Sequence, residues 1–239
     1  MSDRRRFAVA FEPSGAEPSA PVRDPRGRIL DALVHTIAHR GYERTTIEHV
    51  LLLAEVPRPV FDEHFEDKQD CLLAALEELI GRIELTISER IAGSRAWSER
   101  VRLGLQALLE ALACDPDGAR VTLVECLSVG EPALLRLRAA MASFVPVLEQ
   151  GRARRDAGDD RSGADLNGVD TAKSANTGHL PPQTSEAIVG GIASILHRRA
   201  LERRTAELPT LLPDLLYFAL MPYLGHGRAL AAAKSIPGV

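Results

Sequence analysis

Aromatic residues are scarce in this sequence, cysteines are few and no apolar run is long. Phe, Trp and Tyr make up 4% of the 239 residues, although 45% are hydrophobic. Ala and Leu therefore carry the apolar load. Strands draw on β-branched and aromatic residues, whereas Ala and Leu lead the helix propensities, so an all-α fold is expected. Cys71, Cys114 and Cys126 are odd in number and lack C-x-x-C spacing, which predicts buried thiols in a reducing cytosol. No stretch is apolar for long enough to span a membrane, and the opening Arg4-Arg5-Arg6 lacks the apolar core of a signal peptide. A cytoplasmic chain without membrane contact is expected. The formal net charge of −4 gives no global attraction to nucleic acid, so any basic surface must be local. Internal repeats, a P-loop, a dinucleotide fingerprint, G-x-S-x-G and H-E-x-x-H are all missing. No acid, base and nucleophile converge, so neither an enzyme nor a cofactor is expected.

The most informative stretch is 45–68, TTIEHVLLLAEVPRPVFDEHFEDK. Thr45 and Glu48 have the T-x-x-E spacing of a capping box. Ile47, Val50, Leu51 and Ala54 recur at helical spacing; Glu55, Val56 and Pro57 interrupt them; Phe61 and Phe65 restart the pattern as core residues. Two short helices joined by a tight turn make a helix-turn-helix, whose second helix can enter a DNA major groove.

Gly41, Tyr42, Thr45, Thr46, Ala54, Val56, Phe61, His64, Phe65, Lys68 and Leu72 stand in the register of the DNA-binding domain of TetR-type transcriptional regulators. The region 26–80 resembles that family, with three departures. Glu55 replaces the turn glycine, Pro57 replaces the serine that would cap the second helix, and Asp62 replaces a phosphate-contacting tyrosine.

Outside this region, Asp24 and Pro25 open a helix with the stripe Ile29, Leu30, Leu33, Val34, Ile37 and Ala38, closed by Gly41. His35 and His39 are four apart on it; no third ligand is evident nearby in the sequence, and no metal site is expected. A long helix runs from Lys68 to Ile91 and another from Trp97 to a turn at Asp115-Pro116-Asp117-Gly118. Helices follow over 119–129 and 133–150, the latter kinked or divided at Pro146. Residues 152–182 read as a flexible loop, and 184–204 and 208–224 as two closing helices. The last is apolar on nearly every side, which predicts burial against a second subunit. The expected division is a disordered arm over 1–22, a helix-turn-helix domain over 23–70, a helical body over 71–226 and a tail over 227–239.

The resemblance implies an N-terminal three-helix DNA-binding domain followed by a helical ligand-binding and dimerisation domain. It implies a homodimer that binds a palindromic operator in double-stranded DNA and responds to a small-molecule effector, usually as a repressor. A helical dimer with weak or lost DNA binding is the alternative. The positions assigned to DNA are Thr45, Thr46, Arg58, Pro59, Val60, Asp62, Glu63, His64 and Lys68. Trp97, Leu105, Leu109, Val121, Val124, Glu125 and Phe144 are the candidates for the ligand pocket. Gly190, Gly191, Ile195, Leu215 and Phe218 are those for the dimer interface. Within 41–70 the acids outnumber the bases, so weaker non-specific DNA binding than that of a basic head is expected, with Arg4-Arg5-Arg6, Arg26 and Arg28 supplying much of the phosphate attraction.

Overall fold

A computed structural model describes residues 24–156 and 180–235; among these there is no strand. The expectations for the N-terminal arm, and most of the loop over 152–182, lie outside the described residues. Helix α1 (Pro25–Arg40) begins where Pro25 and the Asp24 cap place it, with Asp24 Oδ1 accepting from the Gly27 amide at 2.8 Å. It ends at Gly41, whose φ of 83° is open to glycine at little steric cost. Helices α2 (Ile47–Ala54) and α3 (Arg58–His64) follow, then α4 (Lys68–Ile91), capped by Asp67.

The capping box at α2 lies one residue later than the sequence pattern placed it. Thr46 is the cap and His49 its reciprocal partner, whereas Thr45 turns inward and donates to the Gly41 carbonyl at 2.9 Å. Helix α5 (Trp97–Cys114) ends at Asp115, but Asp115-Pro116-Asp117-Gly118 is a helix start rather than a loop. Asp115 Oδ1 accepts from the Gly118 amide at 2.8 Å and Pro116 fills the first position of α6 (Pro116–Leu123). The helix expected over 119–129 accordingly divides at Val124 into α6 and a 3-10 turn, Glu125–Ser128. Pro146 marks a division, between α7 (Glu131–Ala142) and α8 (Val145–Asp156), and α8 runs into the segment expected to be loop.

Helix α9 (Thr184–Leu201) stops three residues before the sequence limit, where Arg203 takes φ of 58°, a left-handed value. A 3-10 segment leads into α10 (Leu212–Leu224). The described part of the expected tail, up to residue 235, is not loose: α11 (His226–Lys234) buries Ala229 and Ala233 beside α10.

Two cores result. The first gathers Ile29, Leu33 and Ile37 of α1 with Val50, Phe61, Leu72 and Leu76, and it also takes Val121 and Cys126 from beyond α5. The helix-turn-helix head therefore shares its core with α4 and α6, and packing does not break at residue 70. The second core joins α5, α8, α9, α10 and α11. Trp97 anchors it, donating to the Val147 carbonyl at 2.6 Å and meeting the Tyr223 ring edge-on. Gly151 lies so close that an added Cβ would run into the indole. The buried Ser185 hydroxyl bonds to Glu149 and Tyr223, tying α8, α9 and α10 together. Burial pushes the Cys71 thiol up to about 12 and Cys126 to about 11. Cys114, against expectation, is exposed, since it ends α5 on its outer face.

Candidate DNA-reading head and ligand cavity

The turn between α2 and α3 is built without glycine. Glu55 adopts φ 54° and ψ 46°, which costs a non-glycine residue about 1 kcal/mol. Pro57 starts α3 in extended geometry and supplies no side-chain cap. Phe61 and Phe65 are buried with ring centroids 5.5 Å apart and hold α3 on the core.

This packing sorts the positions assigned to DNA. Thr46, Arg58, Pro59, Asp62, Glu63 and His64 are exposed, and Val60 is half-buried against the core. Thr45 is 1% exposed and unavailable to DNA, because the register of the cap turns it inward. Lys68 is committed inside the head: its ammonium donates to the carbonyls of Tyr42 and Thr45, each at 2.9 Å, and sits 4.0 Å from the Tyr42 ring centroid. Arg58 donates to Asp62 at 2.8 Å, lies 3.7 Å from Glu48 and stacks over Phe61. The hydrogen bond and charge of Asp62 hold the guanidinium even more firmly protonated than usual. Its reach toward a base competes with that carboxylate.

Behind the head lies a cavity of about 390 Å³. Its walls are Ile83 and Ile87 of α4, Val101, Leu105, Leu108 and Leu112 of α5, Leu137 and Met141 of α7, Leu148 of α8, and Val189, Ile192 and Leu196 of α9, with Phe144 at the α7–α8 junction. The cavity reaches solvent beside Glu84, Gly190 and Ser194, which are exposed. Polar groups are few. His197 donates from Nδ1 to the Leu123 carbonyl at 2.7 Å, and Arg100 donates to Gln150. Thr122 Oγ1 is buried and has no hydrogen-bond partner among the described residues.

Of the residues assigned to the ligand pocket, Leu105 and Phe144 line this cavity; Trp97, Leu109, Val121, Val124 and Glu125 do not. Trp97 and Leu109 face the second core, and Val121 faces the first. The α4 walls Ile83 and Ile87 fall within the 83–150 region where the pocket is expected, whereas the α9 walls lie outside it, because the apolar stripe of α9 is indistinguishable from core in sequence.

Glu125 has a different place. It is 8% exposed, pairs with Arg120 at 3.1 Å, and accepts from the Tyr42 amide at 3.2 Å. Cavity residues Thr122, Leu123 and Leu127 flank it in sequence, so the same short segment forms a cavity wall and holds the end of α1.

The positions assigned to a subunit interface also separate. Leu215 is 3% exposed and belongs to the protomer's own core, because the apolar character of α10 is satisfied by α5, α8 and α11 on its inner side. Ile195 is half-buried beside that core. Phe218 and Met221 remain 42% and 40% exposed. On α9, Ala187, Gly190, Ser194, Arg198 and Leu201 form an exposed stripe of mostly small residues. An added Cβ at Gly191 would lie 3.2 Å from the Phe218 ring, so that glycine admits the close approach of α10.

Residues 29–75 match the family model described as "Bacterial regulatory proteins, tetR family". The "Fatty acid metabolism regulator protein" of Bacillus subtilis (strain 168) is 28% identical over 98 residues, which are 41% of this chain. That alignment spans half the length of the relative. Among solved structures, the fatty acid degradation regulator FadR from Bacillus halodurans superposes with a TM-score of 0.65 at 18% identity, covering 86% of this chain and 96% of that one. FadR from Bacillus subtilis in complex with stearoyl-CoA gives 0.64 at 18% identity, with 83% and 98% covered. A TetR regulatory protein from Rhodobacter sphaeroides gives 0.56 at 20% identity, with 84% and 98% covered.

Proposed function

We propose that the chain is a TetR-type transcriptional regulator that binds operator DNA as a homodimer and releases it when a long aliphatic chain fills the cavity. The observation that carries this reading is the cavity itself: apolar on almost every wall, within the size range of small-molecule sites, and walled in part by the 122–127 segment, whose Glu125 is bonded to the DNA-reading head. The stearoyl-CoA complex of the related fold suggests an acyl thioester as effector. The unpartnered Thr122 hydroxyl would serve a polar atom of such a ligand, since a buried hydroxyl without a bond carries a desolvation cost.

The experiment is selection of a palindromic site from a random DNA pool, followed by displacement with fatty acyl-CoA esters. No specific DNA at low salt would sink the regulator reading; specific DNA that no acyl ester displaces would sink the choice of effector.

Weak DNA binding is the second reading, favoured by Asp62 on Arg58 and by the internal commitment of Lys68. These features predict a measurable gain. Asp62→Asn frees Arg58 and removes a charge that repels phosphate. The slope of log affinity against log salt should steepen by roughly one unit. Arg58→Ala should instead relax base preference, by about 1–3 kcal/mol if it makes a bidentate contact. If Asp62→Asn leaves affinity and slope unaltered, Arg58 does not approach the DNA.

Dimerisation is assigned to the outer faces of α9 and α10. Phe218→Glu with Met221→Glu should give a soluble monomer, because both residues are exposed in the protomer and the new charges would be buried only in a dimer. Leu215→Glu should unfold the protomer instead. A Phe218/Met221 double variant that sediments as a dimer would place the interface elsewhere.

A further inference from the structure

We propose that His35, His39 and Asp117 form a site for a divalent transition-metal ion that takes imidazole and carboxylate ligands, stapling α1 to α6. The histidines are one helical turn apart on an exposed face of α1, with ring centroids 4.2 Å apart. Asp117, 82 residues from His35 in sequence, enters from the first turn of α6. Its Oδ2 lies 2.8 Å from His35 Nδ1, and its Oδ1 lies 3.8 Å from His39 Nδ1. One ligand atom from each residue falls within 4.8 Å of the others. Donors bound to one ion at about 2.0–2.2 Å stand roughly 3–3.5 Å apart in tetrahedral geometry, so small side-chain rotations close the site.

The chemistry of the set is selective. Two imidazoles and one carboxylate suit Zn²⁺ and its neighbours in the first transition row, whereas Ca²⁺ and Mg²⁺ want more oxygen. Each side chain is partly exposed, at 54%, 50% and 34%, which admits the ion and leaves its remaining positions to water.

The location gives the site its consequence. Helix α1 belongs to the DNA-reading head, and α6 carries a cavity wall at its other end. Tyr42 and Glu125 already join the two segments beyond the end of α1. A metal on His35, His39 and Asp117 would be a second tie along the same contact, independent of any molecule in the cavity.

The test uses the full-length protein, purified without a metal-chelating tag and titrated with ZnCl₂ by calorimetry. Co²⁺ absorption in the visible reports the geometry. A single ion per protomer is expected, with affinity falling at least about tenfold in each of His35→Ala, His39→Ala and Asp117→Asn. His226→Gln, on an exposed histidine outside the cluster, should leave affinity unchanged. Circular dichroism verifies that each variant is folded, as expected for substitutions of exposed and half-exposed side chains. Absence of a saturable site, or the same site in a triple variant, overturns the proposal. Loss in both histidine variants with full retention in Asp117→Asn overturns the staple, since the ion would then sit on α1 alone.

Discussion

Glu125→Ala is expected to lower the unfolding free energy by about 3 kcal/mol, the usual range for removing one partner of a buried ion pair. The loss has two sources. Arg120, whose side chain is 19% exposed, would keep its charge without a counterion, and the Tyr42 amide would lose its acceptor. Glu125→Gln can still accept from Tyr42 while losing the ionic interaction with Arg120, so it should fall between wild type and alanine. Urea denaturation followed by helical circular dichroism measures both. A functional effect accompanies the structural one. Glu125 is the polar link between the segment that lines the cavity and the loop that precedes α2, so Glu125→Gln should shrink the factor by which an effector weakens DNA binding. The reciprocal factor, by which DNA weakens effector binding, must shrink equally. A change below about 0.5 kcal/mol in Glu125→Ala would show that the pair is surface-like and that the coupling runs elsewhere.

A series of acyl-CoA esters of increasing chain length should bind with affinity rising about fourfold per methylene, equivalent to about 0.8 kcal/mol each. Six methylenes then contribute about 5 kcal/mol, far beyond what any single polar contact in this cavity can supply. The rise should stop when the cavity is full. Leu108→Trp, which adds bulk at a half-buried wall position, should move that limit to shorter chains and lower the affinity of the longest by at least tenfold. Thr122→Val should affect all chain lengths alike, because it removes the hydroxyl and not the wall. Ligand titrations and the matching rise in melting temperature give two readouts of one linkage. Affinity independent of chain length would mean that the acyl chain lies outside the cavity.

The sequence by itself determined the helical class, the helix-turn-helix and the limits of most helices. Those features are written in local chemistry: the Asp24-Pro25 start, the stripe of α1, the break at Glu55-Val56-Pro57 and the paired phenylalanines of α3. Caps and periodicity act within a few residues, so they can be read without knowing the neighbours. They also mislead within a few residues. T-x-x-E at Thr45 looked like the capping box, yet the chain caps with Thr46, because burial of Thr45 against the end of α1 outweighs that pattern.

Only the tertiary structure decided what each apolar stripe faces. Leu105 and Leu109 sit one turn apart on the same helix, and one lines the cavity while the other is sealed in the core. Leu215 and Phe218 divide between the protomer interior and its surface in the same way. Hydrophobic burial is not directional, so a sequence records that a residue leaves water but not what it meets. Charged and polar partners are lost to sequence reading for a related reason. Glu125 finds Tyr42, Lys68 finds two carbonyls of the loop between α1 and α2, and Asp117 finds the α1 histidines only because the packing of α1, α4 and α6 brings distant segments within hydrogen-bonding reach.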